Sequence, residues 1–258
     1  MSRKFSNNQV EAICTAVKQA CTEAGTEAFL IGAQARDLWL YPKISSRVTK
    51  DIDWVIGSSD NDTYQKVHDF LVQKAGFQTT SSNPFKLLSS DGIQLDLLPM
   101  TSEELAHFVG LPEVLEFGSE KISINDQDFR VATLPSIVLL KLVAWGNLPE
   151  YRTKDLEDIY LILQEHFDAD LDKIYENHLD LFDLFNQNQL QSLGARVLGR
   201  EISNIVKDSP SIKDQLLDIL GKKELMAQII IRKTDETEDR NIIGLFNELE
   251  KGMNEQLK

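Results

Sequence analysis

Arg47-Val48-Thr49-Lys50-Asp51-Ile52-Asp53-Trp54-Val55-Ile56 is the stretch on which the reading of this chain turns. Its second half is apolar and β-forming, so residues 50–56 read as a buried strand. Residues two apart on a strand share a face. Asp51 and Asp53 therefore project together, while Ile52 and Trp54 face the other way. Two like charges side by side repel, and stability alone does not account for them. A divalent cation does: Mg²⁺ is a hard ion that takes one or two carboxylates together with phosphate oxygens. Asp-x-Asp also occurs as a solvated strand rim, so the neighbouring sequence decides.

Upstream, Ala28-Phe29-Leu30-Ile31 is a short apolar run, followed by Gly32-Ala33-Gln34-Ala35-Arg36-Asp37-Leu38. This order predicts a strand, a glycine turn and the opening of a helix. Such a turn aims backbone N–H groups and a helix N-terminus at an anion. An anion-holding turn beside paired carboxylates points to a nucleoside triphosphate site.

Gly32-Ala33, Arg36 and Arg47-x-Thr49-x-Asp51-x-Asp53 together resemble the signature of the DNA polymerase β nucleotidyltransferase superfamily. The resemblance implies a third carboxylate on a later strand. Gly92-Ile93-Gln94-Leu95-Asp96-Leu97-Leu98-Pro99 supplies a strand with one central acid, Asp96, which is unfavourable between leucines unless paired or bound to metal. Asp91 reads instead as a turn residue beside Gly92. Further along, Lys141 interrupts the apolar helix pattern Leu134–Trp145, and Arg152-x-Lys154-Asp155-x-x-Asp158-Ile159 follows. These two segments are similar to the AbiEii/MenT branch, the nucleotidyltransferase-like toxins of toxin–antitoxin and phage-defence systems.

The resemblance spans roughly Ala28 to Leu163. It implies Asp51, Asp53 and Asp96 as catalytic metal ligands for two Mg²⁺ ions, with Asp96 also able to take the acceptor proton. It places Lys141 on the triphosphate. It assigns nucleotide binding to Gly32, Ala33, Arg36, Arg47, Lys141, Asp155 and Asp158. Asp155 and Asp158 lie three apart on one helix face; they either orient Lys141 or Arg47, or, for Asp155, favour the helix start. One departure is Ala33, where many members of the superfamily have a serine hydroxyl.

The 258 residues suffice for two domains, and the sequence divides near residue 134. Residues 1–134 alternate helices and strands and read as a nucleotidyltransferase catalytic domain of α/β class, with a mixed sheet. Expected strands include Phe85–Ser89, Ile93–Leu98, Val114–Phe117 and Phe129–Ala132, and Thr101-Ser102-Glu103-Glu104 reads as a helix start. Residues 135–258 read as an α-helical domain, including a helix over Leu179–Phe185; Ile229–Ile231 fits a helix or a short strand.

A net charge of −14 disfavours nonspecific adhesion to nucleic acid or anionic membrane. A local basic set (Arg36, Arg47, Lys50, Lys141, Arg152, Lys154) leaves RNA open as an acceptor, although Lys50, Arg152 and Lys154 have the ordinary alternative of simple solvation. No apolar run is long enough to cross a membrane, and no signal-peptide pattern precedes the first helix. Cys14 and Cys21 lie two helical turns apart, too far for a disulfide, and read as buried thiols of a reducing cytoplasm. The four histidines are scattered and lack zinc spacing.

The resemblance thus implies transfer of a nucleotide from an NTP to a hydroxyl of an RNA end or a protein, with a cognate antitoxin as a possible partner. Transfer to a small molecule such as an antibiotic, and a noncatalytic interaction protein retaining the fold, are the alternatives.

Overall fold

The computed structural model describes residues 8–40, 51–58, 60–80, 83–100, 111–233 and 239–255. It divides into two compact units, Met1–Thr133 and Leu134–Lys258. Arg47, Thr49, Lys50 and the Thr101–Glu104 helix start lie outside the described residues.

The first unit runs α1 (Asn8–Ala24), β1 (Ala28–Ile31), α2 (Gly32–Leu40), β2 (Asp51–Ile56), α3 (Asn61–Gln73), β3 (Gln78–Thr79), β4 (Lys86–Leu88), β5 (Gln94–Pro99), α4 (Leu111–Phe117), β6 (Ser119–Ile124) and β7 (Gln127–Ala132). The strands form one mixed sheet in the order β3-β4-β5-β2-β1-β7-β6. β2 pairs parallel to β5 and β1 parallel to β7; the other neighbours are antiparallel. Apolar side chains of the central strands, among them Leu30, Ile52, Leu95 and Leu97, are fully buried. Two hydrogen bonds pin helices to this sheet: Trp39 Nε1 of α2 donates to Ala132 O at 2.7 Å, and Tyr64 Oη of α3 to Leu97 O at 2.9 Å. Cys14 and Cys21 are free, buried thiols on α1.

The expected strand at Val114–Phe117 is instead the end of α4. Pro112 suits the first turn of a helix, where its missing N–H costs nothing. The strand lies just beyond, at Ser119–Ile124, where Ser119, Ile122 and Ile124 are buried and Lys121 and Ser123 are exposed. Asn125 and Asp126, both at positive φ (48° and 61°), form the two-residue turn that pairs it with β7.

The second unit is helical: α5 (Leu134–Asn147), α6 (Thr153–Ala169), α7 (Leu171–Asn177), α8 (Leu190–Ile205), α9 (Pro210–Leu220), α10 (Lys223–Ile231) and α11 (Asp239–Asn254). Ile229–Ile231 is therefore helix, not strand. The expected helix at Leu179–Phe185 shrinks to a single 3₁₀ turn, Leu179–Leu181. Leu179 and Leu184 are well exposed there, so too little apolar surface is buried to offset ordering a longer helix. α5 is apolar nearly all round and buried on most sides, as a helix at the centre of a unit must be.

α8 and α11 cross at backbone contact. A Cβ on Gly199 would fall 2.1 Å from Leu249 O, and one on Gly252 would fall 2.1 Å from Arg196 O. Arg196 binds Glu248, its Nε at 2.8 Å, and also Glu255; Arg200 binds Glu255 and, at 2.7 Å, Asp180. No described helix is long and apolar enough to cross a membrane.

Candidate active site

The register of β2 and β5 brings together the acids that the sequence separates by more than forty residues. Asp53 is the Cα partner of Asp96, and Asp51 of Gln94. Directly opposed residues of adjacent strands sit about 4.8 Å apart and share a face. Asp51, Asp53 and Asp96 therefore stand on one face, while Ile52, Trp54, Leu95 and Leu97 fill the core behind it. Asp51 is exposed and the other two are half-buried. This alternation explains why charged residues are tolerated inside central strands: one side of each strand meets the core and the other does not.

Gly32 closes the site from β1. Its φ is +68°, the left-handed region that favours glycine. A Cβ there would lie 2.1 Å from Asp53 Oδ2. The turn thus meets the carboxylate directly, and α2 begins at that same residue. Ala33 sits half-buried in the first turn of α2, offering its backbone N–H but no hydroxyl. Arg36, further along α2, is 3% exposed, and its guanidinium donates to Asp37 Oδ1 from Nε (2.8 Å) and Nη2 (2.6 Å).

Two residues that the sequence reading passed over join the acids. Gln94 Nε2 donates to Asp96 Oδ1 at 2.7 Å, and Lys86 Nζ of β4 lies 3.6 Å from Asp96 Oδ2. Neither belongs to a motif. They become visible only once the strands are paired, Lys86 with Asp96 and Gln94 with Asp51.

The second unit builds a separate polar centre. Lys141 Nζ of α5 contacts Asp155 Oδ1 and Asp158 Oδ2 of α6, each at 2.8 Å. All three side chains are 14% exposed or less. Burial pulls the ammonium's pKa down, but the two carboxylates outweigh it and hold the pKa above its ordinary value. Lys141 therefore stays charged, with two of its three N–H donors engaged. Arg152 is exposed, 3.7 Å from Asp155 Oδ2, and Lys154 is exposed.

Carboxylate oxygens are hard ligands, and three on one face beside a glycine turn suit Mg²⁺. Their oxygens stand farther apart than 4.8 Å as a trio. Among the described residues, only His166, Asp170 and Glu201 meet that distance. The latter set reads as an ion pair tying α6 to α8. His166 is fully buried and its Nε2 lies 3.0 Å from Glu201 Oε2, while Nδ1 has no acceptor. A metal-bound histidine almost always donates its other N–H to a supporting group, which this ring lacks.

A family model described as the nucleotidyl transferase AbiEii toxin of type IV toxin–antitoxin systems matches residues 19–213. The chain belongs to the AbiEii family. The match covers β1 through α8 and so includes both polar centres. The AbiEii chain is also similar to three solved structures. One is an antigenic nucleotidyltransferase-like protein from Paracoccidioides brasiliensis, at 17% identity over 83% of this chain and 94% of that one, with a TM-score of 0.44. Another is the antibiotic-resistance factor ANT(2'')-Ia, at 17% identity over 72% and 89%, TM-score 0.43. ANT(2'')-Ia in complex with adenylyl-2''-tobramycin gives 16% identity over 73% and 96%, also at 0.43. No curated protein matches the chain. As an AbiEii-family member the protein is a nucleotidyltransferase toxin of the type IV toxin–antitoxin class.

Proposed function

We propose that this toxin transfers a nucleotidyl group from an NTP to a hydroxyl of an RNA end or a protein, using Mg²⁺ held by Asp51, Asp53 and Asp96. The observation that carries the reading is the pairing of Asp53 with Asp96 across β2 and β5, with Asp51 on the same face and Gly32 packed on Asp53. On this reading residues 1–134 are the catalytic domain and 135–258 the α-helical domain.

Bound Mg²⁺ supplies charge neutralisation for the triphosphate and acidity to the acceptor hydroxyl. The chain's own residues do the rest. Asp51 and Asp53 orient the ions, and Asp96 accepts the proton of the attacking hydroxyl. The Gly32–Ala33 turn presents backbone N–H groups to the phosphates. The serine hydroxyl missing at Ala33 removes one phosphate contact and leaves these N–H groups in place. Lys141 contributes a point charge to the triphosphate through its remaining N–H, with Asp155 and Asp158 fixing its rotamer. Arg36 and Arg47 support the phosphate side, and a cognate antitoxin opposes the activity in the cell.

The test is incubation of the protein with each labelled NTP, Mg²⁺ and total tRNA or cell lysate. Label should move to RNA or to a protein band, and Asp53→Ala should abolish the transfer. Equal transfer by Asp53→Ala would remove the metal role assigned here. No transfer, with no Mg²⁺–NTP binding by calorimetry, would favour a noncatalytic interaction protein.

A further inference from the structure

Asp96 sits in the middle of a row that crosses three strands. Lys86 lies beside it on β4 and Asp53 on β2. The Lys86 ammonium approaches Oδ2 to 3.6 Å, while Gln94 occupies Oδ1 by a 2.7 Å hydrogen bond. At 3.6 Å the lysine is in ion-pair contact without being bound by a short hydrogen bond. Lys86 is 36% exposed and Asp96 19%, so the ammonium has room to swing into solvent. A four-carbon stem makes that swing cheap. Gln94 behaves differently: a neutral donor on one oxygen fixes the carboxylate plane and adds no charge.

We propose that Lys86 is the resident counter-cation of the acid row, so that a divalent ion loads onto Asp96 by displacing it. The inference rests on the reading of Asp96 as a metal ligand. Deepening that reading, it makes Lys86 the residue that sets the cation concentration at which the site fills. The face carries three carboxylates, two of them in this row, and would otherwise gather any passing cation. A tethered ammonium on one of them raises the concentration that an external ion needs. An ion pair of this exposure contributes about 0.2–1 kcal/mol, which corresponds to a roughly 1.4- to fivefold effect on the metal dissociation constant.

A simple cross-strand salt bridge would look the same in the structure. The two roles differ in what deletion does. Removing a purely structural pair lowers stability and leaves metal affinity unchanged or weaker. Removing a competing cation makes metal bind more tightly.

The experiment measures Mn²⁺ binding to the full chain by electron paramagnetic resonance, in the wild type, Lys86→Met, Lys86→Arg and Asp96→Asn. Lys86→Met should bind Mn²⁺ about 1.4- to fivefold more tightly, and Lys86→Arg should stay near the wild type. The gain in Lys86→Met should shrink in about 0.5 M KCl, because salt screens the competition. Asp96→Asn should bind more weakly and should lose any effect of a second Lys86→Met change. Circular dichroism confirms that each variant is folded. Wild-type binding with equal or weaker binding by Lys86→Met overturns the role of Lys86 and leaves the metal reading intact. Binding by neither protein overturns both.

Discussion

Replacing Lys141 by methionine should unfold the second unit at far lower denaturant, because it strips the buried counter-charge from two buried acids. Lys141, Asp155 and Asp158 are 14%, 12% and 13% exposed and meet at 2.8 Å. Methionine keeps most of the stem volume, so the change is mainly electrostatic. Removing one partner of a buried ion pair costs about 3–5 kcal/mol, chiefly the penalty of the charge left behind. The partial exposure argues for the lower end, about 3 kcal/mol. With a urea slope of about 1.5 kcal/mol/M for a unit of this size, the midpoint should fall by about 2 M. The assay is urea-dependent hydrogen exchange of the α5 and α6 amides, which reports this unit directly. A triple change, Lys141→Met with Asp155→Asn and Asp158→Asn, should recover much of the loss, since no charge then remains to desolvate. A shift below about 0.5 M, or a triple variant no better than the single one, would refute the reasoning.

Gly32→Ala should lose about 1–3 kcal/mol through its positive φ and overlap with Asp53; calorimetry should also show at least tenfold weaker Mg²⁺ binding, because Asp53 must rotate away. Gly252→Ala should be destabilising by about 2 kcal/mol in thermal unfolding although alanine favours a helix by roughly 1, since its methyl would sit on Arg196 O at the α8 contact. The His166–Glu201 pair should give a pH signature. Burial lowers the His166 pKa, but Glu201 outweighs it and leaves the pKa raised above 6.5; burial raises that of Glu201, but His166 outweighs it and leaves it below 4.5. The histidine contribution is therefore full below 6.5 and lost as pH rises through its folded value, and the glutamate contribution is full above 4.5 and lost as pH falls through its own. The Tm gap between wild type and His166→Gln should be widest near pH 4.5–6.5 and narrow above it; a constant gap across pH 5–9 would count against the pair.

Asp51 and Asp53 were legible because strand alternation is a local rule, and Gly32 because a strand, a glycine and a helix start follow one another in eleven residues or so. The apolar pattern of α5 made Lys141 conspicuous, and the i,i+3 spacing of Asp155 and Asp158 put both on the face that meets it. Lys86 and Gln94 were not legible. Their significance depends on which strand pairs with which residue in register, and no local pattern states that. β6 was missed because Glu120 and Lys121 dilute its apolar signal, although Asn125-Asp126 between two short runs is a hairpin cue. The glycine crossing of α8 and α11 was also invisible, since a helical glycine looks like a weak spot until a partner backbone lies against it.

The pairing of Asp53 with Asp96 has a consequence for what a misfolded copy can do. Slip β5 by one residue against β2, and Leu95 or Leu97 takes the place of Asp96 while the acid turns toward the core. Such a sheet has taken Asp96 away from Asp53 and buried a charge at once. On the proposed function, correct assembly and harmful chemistry are thus tied to one alignment of two strands, so a nascent or damaged copy with that alignment wrong would be disarmed by its own topology.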